Sequence, residues 1–148
     1  MSDIDENAKR AKKTAFIYLL VSLFCALFGA VYEGFSHGVY SFFMIYAFAF
    51  PLAGGTLPAF SLAVRAMPFF LLNFAKEKNY PNALARNLYH SGIAALTVGS
   101  IIKGVLEIYG TSNTLTRWYW LAGAALLLAA VLIPARGILR LLLFLVPY

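Results

Sequence analysis

Ionisable residues are scarce in this sequence, and two groups of them have a spacing that could do chemistry. Glu33 and His37 are four residues apart around Ser36, in the short polar stretch between the first two apolar runs. A carboxylate beside a histidine is a pH-sensitive pair, because the unperturbed pKa of histidine lies near physiological pH. Lys103 and Glu107 are also four residues apart, the spacing of an ion pair on one helix face. The candidate ligand- or proton-binding residues are therefore Glu33, Ser36, His37, Lys103 and Glu107.

Each group also has a purely structural interpretation. His37 lies in a glycine-rich stretch, where a solvated turn residue is an equally good expectation. Lys103 and Glu107 can form an intrahelical ion pair near the membrane boundary without any ligand. An unpaired lysine in a membrane costs about 2.5 to 3.5 kcal/mol at the helix centre. The sequence therefore predicts that Lys103 is paired with Glu107 or Glu33, and it leaves open whether the pair binds a ligand.

The composition places these residues in a membrane protein. The chain has 148 residues, of which 61% are hydrophobic and 12% charged, and its mean hydropathy is +0.76. Soluble domains carry about 25% charged residues. Because a spanning helix needs roughly 20 apolar residues, the length allows four spans in a single domain. We predict an all-α integral membrane bundle of four transmembrane helices, with spans at about 14–32, 39–64, 88–109 and 118–133.

The segments outside the spans have predicted roles of their own. Residues 1–13 are predicted to be a basic cytoplasmic segment, and residues 14–148 a single transmembrane domain. Residues 66–75 are aromatic and too short to cross, which indicates an interfacial helix between the second and third spans, with a re-entrant segment or the tail of a long helix as the alternatives. Pro134 predicts the end of the fourth helix. An apolar C-terminal tail over 138–148 then lies on the membrane or dips into it.

The second apolar run contains a helix-breaking sequence in its second half, made of Pro51, Gly54, Gly55 and Pro58. The prolines delete backbone donors, and the glycines have no side chain that resists bending. We expect a kink or a break between the two prolines.

The third run carries small residues on one helix face. Gly92, Gly99, Lys103 and Glu107 fall within about 80° of arc at 100° per residue. Small residues let neighbouring helix backbones approach closely. We therefore expect this face to point into the bundle, so that Lys103 and Glu107 also lie on the inner side of the helix.

The distribution of basic residues predicts the orientation. The net charge is +6, but the basic residues flank the apolar runs, which is how they orient membrane helices and is not typical of a nucleic-acid interface. Four spans put ten of the twelve basic residues on the side of the N-terminus. We predict a cytoplasmic (inner) membrane protein with both termini in the cytoplasm. The ten basic residues that this topology places on the side of the N-terminus are Lys9, Arg10, Lys12, Lys13, Arg65, Lys76, Lys78, Arg86, Arg136 and Arg140.

The function predicted from these features is non-enzymatic. The sequence has no metalloprotease HExxH, nucleophile elbow, P-loop or dinucleotide-binding motif. We expect a protein that binds or transports a small molecule or ion, or that acts as a membrane partner subunit. Its surroundings are the lipid bilayer, and self-association or a larger membrane partner is open. A membrane enzyme that uses Glu33, His37 or Glu107 as general acid or base is a further alternative.

A haem-binding electron-transfer subunit is the alternative function. Two histidines, His37 and His90, suggest bis-histidine ligation in a small helical membrane protein. The predicted spans place them on opposite sides of a hydrocarbon core about 30 Å thick, which one iron cannot bridge. No cofactor or metal is therefore predicted. The single cysteine, Cys25, excludes an intrachain disulfide and a zinc site built on several thiolates.

Overall fold

The computed structural model describes residues 3–63 and 80–144, and in these ranges the chain is helical apart from short turns. Four helices are long and apolar enough to cross a membrane: Lys9–Gly34, Phe42–Phe60, Ala83–Ile108 and Thr116–Ile133. The predicted all-α architecture with four transmembrane helices is confirmed. In chain order the elements are α1 (Asp3–Gly34), α2 (Phe42–Ile45), α3 (Ala49–Pro51), a π-helix (Leu52–Thr56), α4 (Leu57–Ala63), α5 (Tyr80–Ile108) and α6 (Thr116–Phe144).

The first helix begins earlier than the sequence predicts. α1 starts at Asp3, so the basic segment is continuous with the first span. Alanine, lysine, arginine and glutamate are all good helix formers, which explains why the helix extends through this segment. Most large apolar side chains of α1 are exposed; Phe24, for example, is 66% exposed. Such a surface suits a helix that faces lipid, whereas Ser22 and Cys25 are buried on its inner side.

The second span, residues 42–60, is interrupted as predicted. Pro51 ends α3, Gly54 and Gly55 lie in the π-helix, and Pro58 lies in the first turn of α4. A π-helix accommodates an extra residue per turn and is typical of single, localised irregularities inside helices. The sequence does not predict a second interruption, a turn at residues 46–48 between α2 and α3.

The four spans pack in a defined order. α1 packs on the second span, α2 and α3 of the second span pack on α5, and the most extensive contact joins α5 to α6. A Cβ added at Gly99 would lie 2.7 Å from Cβ of Tyr119, and one added at Gly92 would lie 2.8 Å from Cγ of Leu127. The small residues of α5 therefore allow close packing against α6, as the sequence predicts.

The ends of the last two helices differ from the prediction. α5 begins at Tyr80, with Pro81 in its first turn, where a missing backbone donor costs no helical hydrogen bond. α6 continues through Pro134 to Phe144 and does not end at the proline. Proline removes one amide donor, and such losses are tolerated in membrane helices. The predicted interfacial helix at 66–75 lies outside the described residues.

Candidate functional site

Two carboxylates, a lysine and a buried serine lie together at the end of the bundle opposite the start of α1. Glu33 belongs to the last turn of α1, Ser41 is the residue before α2, and Lys103 and Glu107 lie near the end of α5. We call these four residues the carboxylate cluster. Three were predicted as candidates from the sequence, whereas Ser41 was not.

Ser41 connects the two carboxylates. Its backbone N–H donates to Oε1 of Glu33 at 3.1 Å, and its hydroxyl donates to Oε2 of Glu107 at 2.7 Å. Ser41 precedes α2 in an extended conformation, but its side chain does not cap that helix. The residue is only 1% exposed, so both donors are held in place by packing. One buried residue thus positions a carboxylate from α1 and another from α5.

Lys103 completes the cluster from the side of α5. Its Nζ lies 3.3 Å from Oε1 of Glu107, and both side chains are about one third exposed, at 31% and 34%. The ammonium also lies 5.7 Å from the ring centroid of Phe43, within the range of a cation–π contact. The predicted pairing of Lys103 is therefore present, and the partner is Glu107.

The two remaining candidates, Ser36 and His37, belong to the turn after α1. The hydroxyl of Ser36 lies 2.6 Å from the backbone oxygens of both Glu33 and Val39, so it orders the turn. His37 is exposed and has a left-handed backbone, with φ of 55°. Among the described contacts, none joins His37 to Glu33. Helical spacing brings residues together only within a helix, and α1 ends at Gly34 before His37 is reached.

A second polar group, the tyrosine–histidine cluster, lies at the other end of the bundle. The hydroxyl of Tyr18 is 2.6 Å from Nδ1 of His90, and the Tyr89 hydroxyl donates to the backbone oxygen of Gly54 at 2.7 Å. Neither tyrosine was predicted from the sequence. The only signal was their occurrence inside apolar runs, where a hydroxyl needs a partner.

The positions of the two histidines bear on haem binding. His90 precedes Glu107 by 17 residues on α5, a rise of about 25 Å along the helix. His37 lies in the turn that follows α1, close in sequence to Glu33 and at the end of the bundle where Glu107 lies. The fold therefore keeps the histidines apart, as predicted, and does not build a bis-histidine pair. In the described ranges, no three His, Cys, Asp or Glu side chains are placed to hold a metal ion.

The charges of the carboxylate cluster do not cancel. Two carboxylates and one ammonium leave an excess of one negative charge when all three are ionised. Glu33 uses Oε1 alone in the described contacts, which leaves Oε2 available. Charge interactions near a membrane boundary are stronger than in bulk water, because the local dielectric constant is lower. In the described contacts, the cluster therefore offers a small cation one open carboxylate oxygen, on Glu33.

Comparison with known proteins finds no matching family model, no matching curated protein and no matching solved structure. What the fold does establish is a small polytopic membrane protein with four apolar helices and two separate polar clusters.

Proposed function

We propose that this membrane protein binds a small monovalent cation at the carboxylate cluster and transports it. The observation that supports binding is the bridge made by Ser41, which holds Glu33 and Glu107 in one site although Lys103 offers a single compensating charge. A purely structural ion pair would need Lys103 and Glu107 alone. The additional carboxylate, fixed by a buried backbone donor, is the feature that a cation would use.

The available oxygens favour a monovalent ion over Ca²⁺. Calcium takes six to eight oxygen ligands, usually with several carboxylates. In the cluster, three of the four carboxylate oxygens already have partners in Ser41 and Lys103. One open carboxylate oxygen beside a polar turn suits an alkali or ammonium ion. The interrupted second span supports transport, because broken helices at membrane depth are typical of transporters.

A titration of the purified protein in lipid nanodiscs tests the binding. We expect NaCl, KCl or methylammonium chloride to raise the unfolding temperature, with N-methylglucamine chloride keeping the ionic strength constant. A bound ion at one hundred times its Kd stabilises a protein by about 2.7 kcal/mol. Glu33→Gln should abolish the shift, and Lys103→Met should lower the apparent Kd, because the lysine competes with the ion for the carboxylates.

Arg117→Gln is the matched control, because Arg117 is an exposed charge that follows the same end of α5 and lies outside the cluster. Its titration should equal that of the wild type. A shift of the same size in the wild type and in Glu33→Gln would contradict the proposal. So would the absence of any shift in both the wild type and Lys103→Met.

We also propose that the carboxylate cluster faces away from the cytoplasm, with both termini on the cytoplasmic side. The asymmetry of basic residues supports this orientation. In a chain with Cys25→Ala, Ser112→Cys lies in the exposed turn between α5 and α6. A membrane-impermeant maleimide should label it from outside the cell. Lys12→Cys, at the other end, should be labelled in inverted vesicles only, and the reverse pattern would overturn the orientation.

A further inference from the structure

The π-helix of the second span is held from two sides by tyrosines. The ring of Tyr18 on α1 lies directly over Gly55, where a Cβ would overlap the ring. From α5, the hydroxyl of Tyr89 donates to the backbone oxygen of Gly54 at 2.7 Å. Backbone groups in a π-helix are less regularly bonded than those in an α-helix, so these contacts fix a segment that could otherwise bend.

His90 connects the two tyrosines. Its ring centroid lies 5.5 Å from that of Tyr18 and 6.0 Å from that of Tyr89. Its Nδ1 is 2.6 Å from the Tyr18 hydroxyl, a short hydrogen bond. In neutral His90 either atom can be the donor. Once His90 is protonated, Nδ1 must donate, and the hydroxyl hydrogen of Tyr18 then has to find another acceptor.

From this geometry we infer that Leu52–Thr56 is a hinge, that the Tyr18–His90 contact holds it closed, and that protonation of His90 releases it. The described ionisable groups that surround the imidazole are Tyr18 of α1 and Tyr89 and Arg86 of α5. The π-helix, α4 and residues 120–133 of α6, the helix that packs most extensively on α5, contain no ionisable side chain.

The charges favour opening at low pH. Arg86 precedes His90 by one helical turn, so a protonated His90 places two positive charges at i and i+4 on α5. A half-buried imidazolium is also poorly solvated. The repulsion from Arg86 and the cost of poor solvation both fall when the hinge opens and water reaches the ring. Protonation of His90 therefore favours the open state over the closed state.

Hydrogen–deuterium exchange of the full-length protein in nanodiscs tests the inference. After correction for the pH dependence of intrinsic exchange, protection of the amides of residues 52–57 should fall about tenfold between pH 8 and pH 5.5. His90→Gln should remove this pH dependence. Tyr18→Phe, which keeps the ring over Gly55 and deletes the hydroxyl, should lower protection at pH 8 and also make it independent of pH.

His37→Gln is the matched control, because His37 is the other histidine of the chain and lies at the opposite end of the bundle. It should respond to pH like the wild type. If protection of residues 52–57 does not change with pH in the wild type, or if it changes equally in Tyr18→Phe, the hinge mechanism is wrong. If His90→Gln fails to fold, the pH dependence of protection in Tyr18→Phe is sufficient to test the hinge. No cation is involved in this test, so its result is independent of the proposed function.

Discussion

Gly104→Ala should destabilise the bundle by about 1 to 3 kcal/mol, the usual cost of overpacking a tight contact. A Cβ at this position would lie 2.8 Å from both the backbone nitrogen and Cβ of Met44, which is only 1% exposed. The clashing atoms are N, Cα and Cβ of Met44, and none of these moves when the side chain rotates, so a change of rotamer cannot relieve the clash. α2 is also held in place by Ser100, whose hydroxyl donates to the backbone oxygen of Phe43 at 2.7 Å.

The measurement is the free energy of unfolding in mixed micelles. Gly34→Ala is the matched control, since a Cβ added there meets nothing within 4 Å beyond its chain neighbours and the nearby backbone of its own helix. Alanine is the better helix former by roughly 1 kcal/mol, so the control should be neutral or slightly stabilised. Equal behaviour of the two variants would show that the second span does not depend on its close approach to α5 at this point.

Ser41→Ala, as a single substitution, should lower the free energy of unfolding by about 1 to 3 kcal/mol. The reason is that Oε2 of Glu107 loses its donor in a half-buried position. The backbone N–H bond to Glu33 is retained in this variant. The loss should therefore come from the α5 side of the cluster. The free energy of unfolding in mixed micelles measures the size of this effect.

Ser36→Ala is the control for the loss of a hydroxyl, because the described hydrogen bonds of Ser36 all go to the backbone of its own turn. We expect it to cost clearly less than Ser41→Ala. In a double-mutant cycle with Glu107→Gln, the two changes together should cost less than the sum of the single costs, because both remove the same hydrogen bond. Costs that add fully would argue against a bridge centred on this serine.

Much of the architecture was predictable because it follows from local patterns. Apolar runs of membrane length define the spans, and the proline–glycine sequence from Pro51 to Pro58 predicts the interruption. The Lys103–Glu107 pair follows from spacing within one helix. Predictions that extended a pattern beyond its element were less successful. His37 was placed beside Glu33 by helical spacing although the helix ends first, and α6 continues past Pro134.

The contacts that complete both clusters join residues distant in the sequence. Ser41 reaches Glu107 across 66 residues, and Tyr18 reaches His90 across 72. No periodicity within a helix predicts such a pair, because it depends on which faces of two helices meet. A serine directly before an apolar run indicates a helix start, so the sequence favours an N-cap role for Ser41. The structure instead uses its hydroxyl to bind a third helix.

The way the carboxylate cluster is divided along the chain bears on biogenesis. Glu33 receives its donor from Ser41, only eight residues later, whereas Lys103 and Glu107 neutralise each other within one helix turn. The half of the protein that is synthesised first therefore contains the donor for its own half-buried acid, Glu33. The half that is synthesised later contains both partners of its ion pair. Neither half depends on the other for these two contacts, and only the bond from Ser41 to Glu107 joins the two halves of the cluster.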